Sequence, residues 1–152
     1  MSIFSGFNTS SSALTMQRLR MDVVSANMAN AETTRAHLVN GEWQPYRRKM
    51  VMTQSANAAP FSAHLNDAMK KNNREIGNGV TVTGIVNDPT PFQLVYQPEH
   101  PDANEEGYVE MPNVDPLREM VDLMSATRSY EANVTTLNAS KNMLLKALEI
   151  GK

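Results

Sequence analysis

Asp115-Pro116-Leu117-Arg118-Glu119-Met120-Val121-Asp122-Leu123 opens the stretch on which the fold turns. Asp115 has the short acceptor side chain of an N-cap, and Pro116 has the pre-set backbone angle of a first helical residue. Glu119 and Asp122 are acids near the positive end of a helix dipole. No Gly or Pro follows between Leu117 and Ile150; Lys146 falls in the last turn, and Gly151 stands where a left-handed C-cap belongs. The pattern predicts a helix over 116–150, roughly 50 Å long at ~1.5 Å per residue. Leu123, Tyr130, Leu137 and Leu144 recur at heptad spacing, with Met120, Thr127, Val134, Lys141 and Leu148 between them. Such a 3-4 alternation is a narrow coiled-coil seam, interrupted twice by polar residues, and not the broad face of a globular core helix.

The other end of the chain repeats the pattern more weakly. Phe7, Leu14, Met21 and Met28 form one heptad row, with Ser10, Gln17, Val24 and Ala31 as its partner row. Neither Gly nor Pro occurs between Gly6 and Gly41, so a helix over about 5–31 is expected. Two seams at opposite ends of one chain suggest an antiparallel pair, since the chain leaves along one helix and returns along the other.

All eight Pro lie between Pro45 and Pro116, and the middle differs in kind. Tyr46–Thr53, Val80–Val86, Phe92–Tyr96 and Tyr108–Met111 have strand-like composition, with Arg48 breaking the alternation in the first and Gly84 marking a bend in the second. Phe61, Leu65, Ala68 and Met69 have the spacing of a short helix. The fold class expected is α+β: long N- and C-terminal helices (1–34 and 113–152) pairing as an antiparallel coiled coil, and a small β-rich middle (35–112) with a variable loop or short helix at 53–78.

Composition narrows the chemistry. The chain has 152 residues, a net charge of −2 and no Cys, so disulfides, thiolate nucleophiles and Cys-ligated zinc are ruled out. The charge balance is wrong for a strongly basic nucleic-acid or membrane-surface binder. No apolar run approaches a membrane span, and the start, Met1–Gly6, lacks the basic and apolar regions of a cleaved signal. His37, His64 and His100 stand alone, and the pair His64 and Asp67 does not define a metal site. Gly77-Asn78-Gly79 precedes a strand, whereas a phosphate loop follows one. Arg47-Arg48-Lys49 reads as part of a solvated or interface strand, and Asp102–Glu106 as an exposed turn without calcium-loop spacing. No catalytic constellation, cofactor site or metal site is expected.

Two segments carry a specific resemblance. Ser25-Ala26-Asn27-Met28-Ala29-Asn30-Ala31-Glu32-Thr33-Thr34 resembles the S-x-N-L-A-N-x-x-T-T motif of bacterial flagellar axial proteins, with Met28 at the usual Leu. Met124–Val134 is similar to that family's C-terminal helix signature. Pro45–Lys49, Gly79–Val82, Leu94–Tyr96 and Gly107–Asp115 resemble the C-type proximal rod proteins of the flagellar basal body, in which 53–78 is commonly shorter. The resemblance implies a structural rod subunit, exported unfolded through the flagellar type III apparatus without signal cleavage. It would assemble helically in the periplasm with itself, other rod proteins and the adjoining base, transmitting torque and forming the export channel wall. Its terminal helices would order only on assembly.

The residues expected at the assembly interface are Asn27, Met28, Asn30, Leu123, Arg128, Tyr130, Glu131, Asn133, Leu137 and Leu144. The alternative for this set is that it holds only the intramolecular helix pair. Arg128 and Glu131, three apart, are placed to pair within the helix or with another subunit. Competing readings are another rod component, a free-standing coiled-coil adaptor that dimerises through its C-terminal helix, and a rod-associated hydrolase, which would need a carboxylate pair in a cleft and whose domain no segment resembles.

Overall fold

In the computed structural model, residues 3–39, 41–56 and 79–150 are described. They form, in chain order, helix α1 (Ile3–Ala29), strands β1 (His37–Val39), β2 (Glu42–Gln44), β3 (Lys49–Ser55), β4 (Val80–Asn87), β5 (Gln93–Tyr96) and β6 (Tyr108–Met111), and helix α2 (Pro116–Ile150). The class is α+β: two long helices and three two-stranded sheets, β1–β2, β3–β4 and β5–β6. The expected short helix at 61–69 and the Gly151 cap lie outside the described residues, as does 57–78 of the expected loop 53–78, whose first residues 53–55 belong to β3.

The start of α2 forms for the reason the sequence suggested. Asp115 Oδ1 accepts hydrogen bonds from the backbone amides of Leu117 (3.0 Å) and Arg118 (3.4 Å), satisfying two of the amides a helix start leaves unpaired. Lys146 lies just before the last turn, not in it, and its ammonium is bonded to Glu149 at 2.6 Å. Leu123, Tyr130, Leu137 and Leu144 are half-buried. The companion row differs from expectation. Met120, Lys141 and Leu148 are exposed while Thr127 and Val134 are half-buried, and the row one residue earlier has Glu119 and Ala126 buried and Asn133 and Ser140 half-buried. Glu119 is covered because Arg48 and Asn27 bond its carboxylate, which apolar counting could not register.

The chain divides into two compact units. One comprises 1–18, 52–84 and 127–152. In it, Ser12 Oγ donates to Thr9 O at 2.8 Å and accepts the amide of Val80 at 3.1 Å, tying α1 to the start of β4. Gly79, at φ 104°, packs against Ser12 so closely that a Cβ would overlap the hydroxyl; only glycine fits both demands. The other unit comprises 19–51 and 85–126 and holds the core: Val23 and Val24 from α1, then Tyr46, Val109, Val114 and Ala126. Val109, 1% exposed, stands opposite Val95 in the β5–β6 register. Burying such a side chain contributes about 1.5–3 kcal/mol.

Two strand expectations need correction. The first strand begins at Lys49, later than Tyr46, because Pro45, Tyr46 and Arg48 turn inward ahead of it. Arg48 is neither solvated nor on an interface strand; it is buried. The β1–β2 hairpin was not expected at all. Its register pairs Leu38 with Trp43 and Val39 with Glu42, around Gly41 at φ 91°. The Asn40-Gly41 dipeptide is the hairpin signal that was available. Leu38 and Trp43 are 59% and 56% exposed.

Candidate functional site

The Asn27 side chain sits in the last turn of α1 and is 1% exposed. Its Nδ2 donates to Lys49 O (2.9 Å) and to Glu119 Oε2 (3.0 Å). Its Oδ1 accepts from the Tyr46 hydroxyl (3.0 Å) and the Lys49 amide (2.9 Å). Two donors and two lone pairs are the full capacity of an amide, so every one is matched. No other side chain of that size offers both.

Arg48 completes the clasp. Its Nε bonds Glu119 Oε1 at 2.6 Å, Nη1 lies 3.4 Å from Asp88 Oδ2, and Nη2 lies 3.5 Å from Asp122 Oδ2. Asp122 also faces Arg20, at 3.9 Å. The Arg48 backbone is held as firmly: its amide donates to Asn113 Oδ1 (2.8 Å), and its carbonyl accepts from the Asp88 amide (2.8 Å). Asn113 Nδ2 in turn donates to Thr90 O at 3.1 Å. Glu119 is wholly sealed from water, its carboxylate oxygens shared between Asn27 and Arg48.

The electrostatics follow from this arrangement. Burial pulls the Arg48 guanidinium down, but its bonds to Glu119 and Asp88 outweigh that and hold it above its ordinary value. Burial pushes the Tyr46 phenol up, with the Glu119 charge adding to it, so the hydroxyl stays a donor to Asn27. Asp88 is held below the ordinary carboxylate range, first by the Thr90 hydroxyl and amide and then by Arg48. A sealed carboxylate locked to arginine has no access to a substrate. What the cluster does is fix the exit of α1, the entry to β3 and the first turns of α2 in one geometry. Breaking a buried pair of this kind by removing one partner costs about 3–5 kcal/mol.

The other residues expected at an interface have different surroundings. Met28 and Asn30 are half-buried, and Asn30 Nδ2 bonds the Ala26 carbonyl at 2.9 Å, closing the end of α1. Thr33 bonds Asn30 at 3.2 Å, and Thr34 bonds Asp102 at 2.8 Å, which also takes Arg35 as an ion-pair partner. Along α2, Leu123, Tyr130, Asn133, Leu137 and Leu144 are half-buried, while Arg128 and Glu131 are exposed and make no ion pair with each other. Asn133 Nδ2 bonds the Ser129 carbonyl at 2.8 Å. The structure therefore gathers Asn27 into a cluster and leaves the α2 residues strung along a helix face. Tyr46, Arg48, Asp88, Asn113 and Glu119 were missed as site residues. The one clue was Arg48, a charge at an inward position of a strand-like run. Among the described residues no group of His, Asp and Glu is arranged to hold a metal ion, and no helix is long and apolar enough to cross a membrane.

The clasp joins two segments that are each similar to known families. Residues 7–36 match the family described as flagella basal body rod protein, and 105–150 match the flagellar basal body rod FlgEFG protein C-terminal family. Over whole chains, the protein is 62% identical to the flagellar basal-body rod protein FlgC of Bacillus subtilis, covering 100% of both. It is 41% identical to the FlgC of Borreliella burgdorferi, covering 99% of this chain and 98% of that one. It is also 41% identical to the FlgC of Escherichia coli O6:H1, again over 100% of both. With both ends and the full length accounted for, this chain belongs to the FlgC family of flagellar basal-body rod proteins, structural subunits of the basal body and not enzymes.

Proposed function

We propose that this rod subunit is built in by its two terminal helices, which pair as an antiparallel coiled coil and pack against the helices of neighbouring subunits. The observation that carries this reading is the exposure of α2 towards its end: Met143, Leu145, Leu148 and Ile150 are 66%, 49%, 72% and 86% exposed. Apolar side chains left in water on a long helix are ones a partner covers. Antiparallel pairing is supported by two contacts that run in opposite order, Arg20 with Asp122 and Asn27 with Glu119. The helices are taken as 1–34 and 113–152, with 35–112 as the β-rich middle.

In this reading Met28, Asn30, Leu123, Arg128, Tyr130, Glu131, Asn133, Leu137 and Leu144 meet neighbouring helices, and Asn27 serves the interface by fixing the angle at which α1 ends. The neighbours are further copies, other rod proteins and the adjoining base. The subunit is exported unfolded through the flagellar export apparatus without signal cleavage, assembles helically in the periplasm, transmits torque, and lines the export channel. Removing residues 144–152 tests the seam. The shortened chain should accumulate normally yet fail to complete rods or support swimming; normal swimming would overturn the reading.

A further inference from the structure

Two exposed faces of the unit formed by 19–51 and 85–126 suit each other. On α2, Leu117, Met120, Val121 and Met124 are 74%, 50%, 60% and 53% exposed and lie on the side away from Glu119, Leu123 and Ala126. Arg118 borders them, exposed and in no ion pair among the described residues. The second face belongs to β5–β6. Its register sets Leu94 opposite Glu110 and Tyr96 opposite Tyr108, so these four share the side away from buried Val109. Leu94, Tyr96 and Tyr108 are 65%, 62% and 41% exposed, and the two rings meet edge to face at 5.3 Å. Around them Glu99, Glu105, Glu106 and Glu110 are exposed, and none is in an ion pair among the described residues.

We propose that in the rod the α2 face of one copy seats on the β5–β6 face of a second copy of this chain, with Arg118 against Glu110. The inference rests on the chain being a rod subunit and adds the surface by which copies meet. Charge decides the occupant: the apolar stripe with a cationic border fits an apolar face with an anionic border, and every copy carries both. The sizes agree as well. Leu117 to Met124 spans about 10 Å of helix, and Leu94 to Tyr96 about 7 Å of strand, widened by Tyr108 across the ladder.

Because the two faces differ, the contact is heterologous. Each addition leaves one face of each kind uncovered, and growth continues as an open helix. A contact about 10 Å long, made by four apolar side chains and one charge pair, is small beside the ~20–30 residues a side of a stable complex. The contact therefore holds only where other interfaces already bring copies together, by raising their effective concentration.

A photo-crosslinking side chain in place of Met124, in the full chain assembled into basal bodies, tests this directly. The expected adduct joins position 124 to residues 94–110 of a second copy. Adducts confined to another rod protein or to other segments of this chain, or no adduct at all, would overturn the proposal while leaving the rod reading intact. Absence of the unmodified chain from purified basal bodies would instead sink the rod reading, and this contact with it. A second measurement uses charge. Arg118→Glu should lower incorporation into rods by about 2- to 5-fold, the range of an exposed ion pair, and Glu110→Arg in the same chain should restore it. Failure of the double variant to recover rejects the Arg118–Glu110 pairing.

Discussion

The two units of this chain solve the burial problem differently. In the unit of 19–51 and 85–126, Val23, Val24, Asn27, Tyr46, Arg48, Val109, Asn113, Val114, Glu119 and Ala126 are all buried. In the unit of 1–18, 52–84 and 127–152, Ser10 is the one described residue that is buried. The first unit closes on itself, with polar groups matched partner for partner. The described part of the second offers helix faces and little core, and isolated helices of this kind hold poorly in water. The lesson is a division of labour: one region completes its own core and still carries exposed apolar faces for neighbours, and the other has little described core and depends on them.

The strongest blow to that contrast is Arg48→Ala. It strands the Glu119 carboxylate, 0% exposed, without its guanidinium, so stability should drop by about 3–5 kcal/mol in urea denaturation. A loss under about 1 kcal/mol would mean the clasp does not hold its unit. Asn27→Ala comes next. It orphans the Tyr46 hydroxyl and the Lys49 amide, for an expected cost of about 1–3 kcal/mol by the same measurement.

Acid gives a subtler test. Asp88 is held below the ordinary carboxylate range by Thr90 and Arg48, so it adds stability above its unfolded value and loses it as pH falls through the folded one. Melting temperature should therefore decline below about pH 4, and Asp88→Asn should flatten that decline. An unchanged acid limb in the variant would show that Asp88 contributes nothing.

The smallest expected effect is the most telling. Tyr130 is half-buried, in the unit with little described core. Tyr130→Ala should move the isolated chain's stability by no more than about 0.5 kcal/mol while blocking incorporation into rods. A loss of about 3–5 kcal/mol with normal incorporation would make Tyr130 an ordinary core residue.

The helices were legible because their signals are local. Asp115, Pro116 and the uninterrupted run to Ile150 define α2, and the bounds of β6 follow from Tyr108–Met111. The companion row of the seam was misjudged at its start, where Glu119 and Ala126 are buried beside exposed Met120, because neither looks like a core residue. Glu119 is covered only because Arg48 and Asn27, 71 and 92 residues away in sequence, arrive to match it. No periodicity encodes a pairing of that range. Arg48 looked solvated for the same reason: its three acids come from β4's exit and from α2. The resemblance pointed to Asn27 as a motif residue, but only the geometry says which four bonds make asparagine the fitting choice.

The chain's single tryptophan, Trp43, stands in the β1–β2 hairpin with more than half its surface in water. Its indole is already solvated in the folded chain, so its emission is that of an aqueous chromophore before any denaturant is added. Intrinsic fluorescence is consequently a poor witness to the loss of the Val109 core or of the Arg48 cluster. The same placement makes it a sensitive one for anything that later covers the hairpin, since only then does the indole leave water and its emission move to the blue.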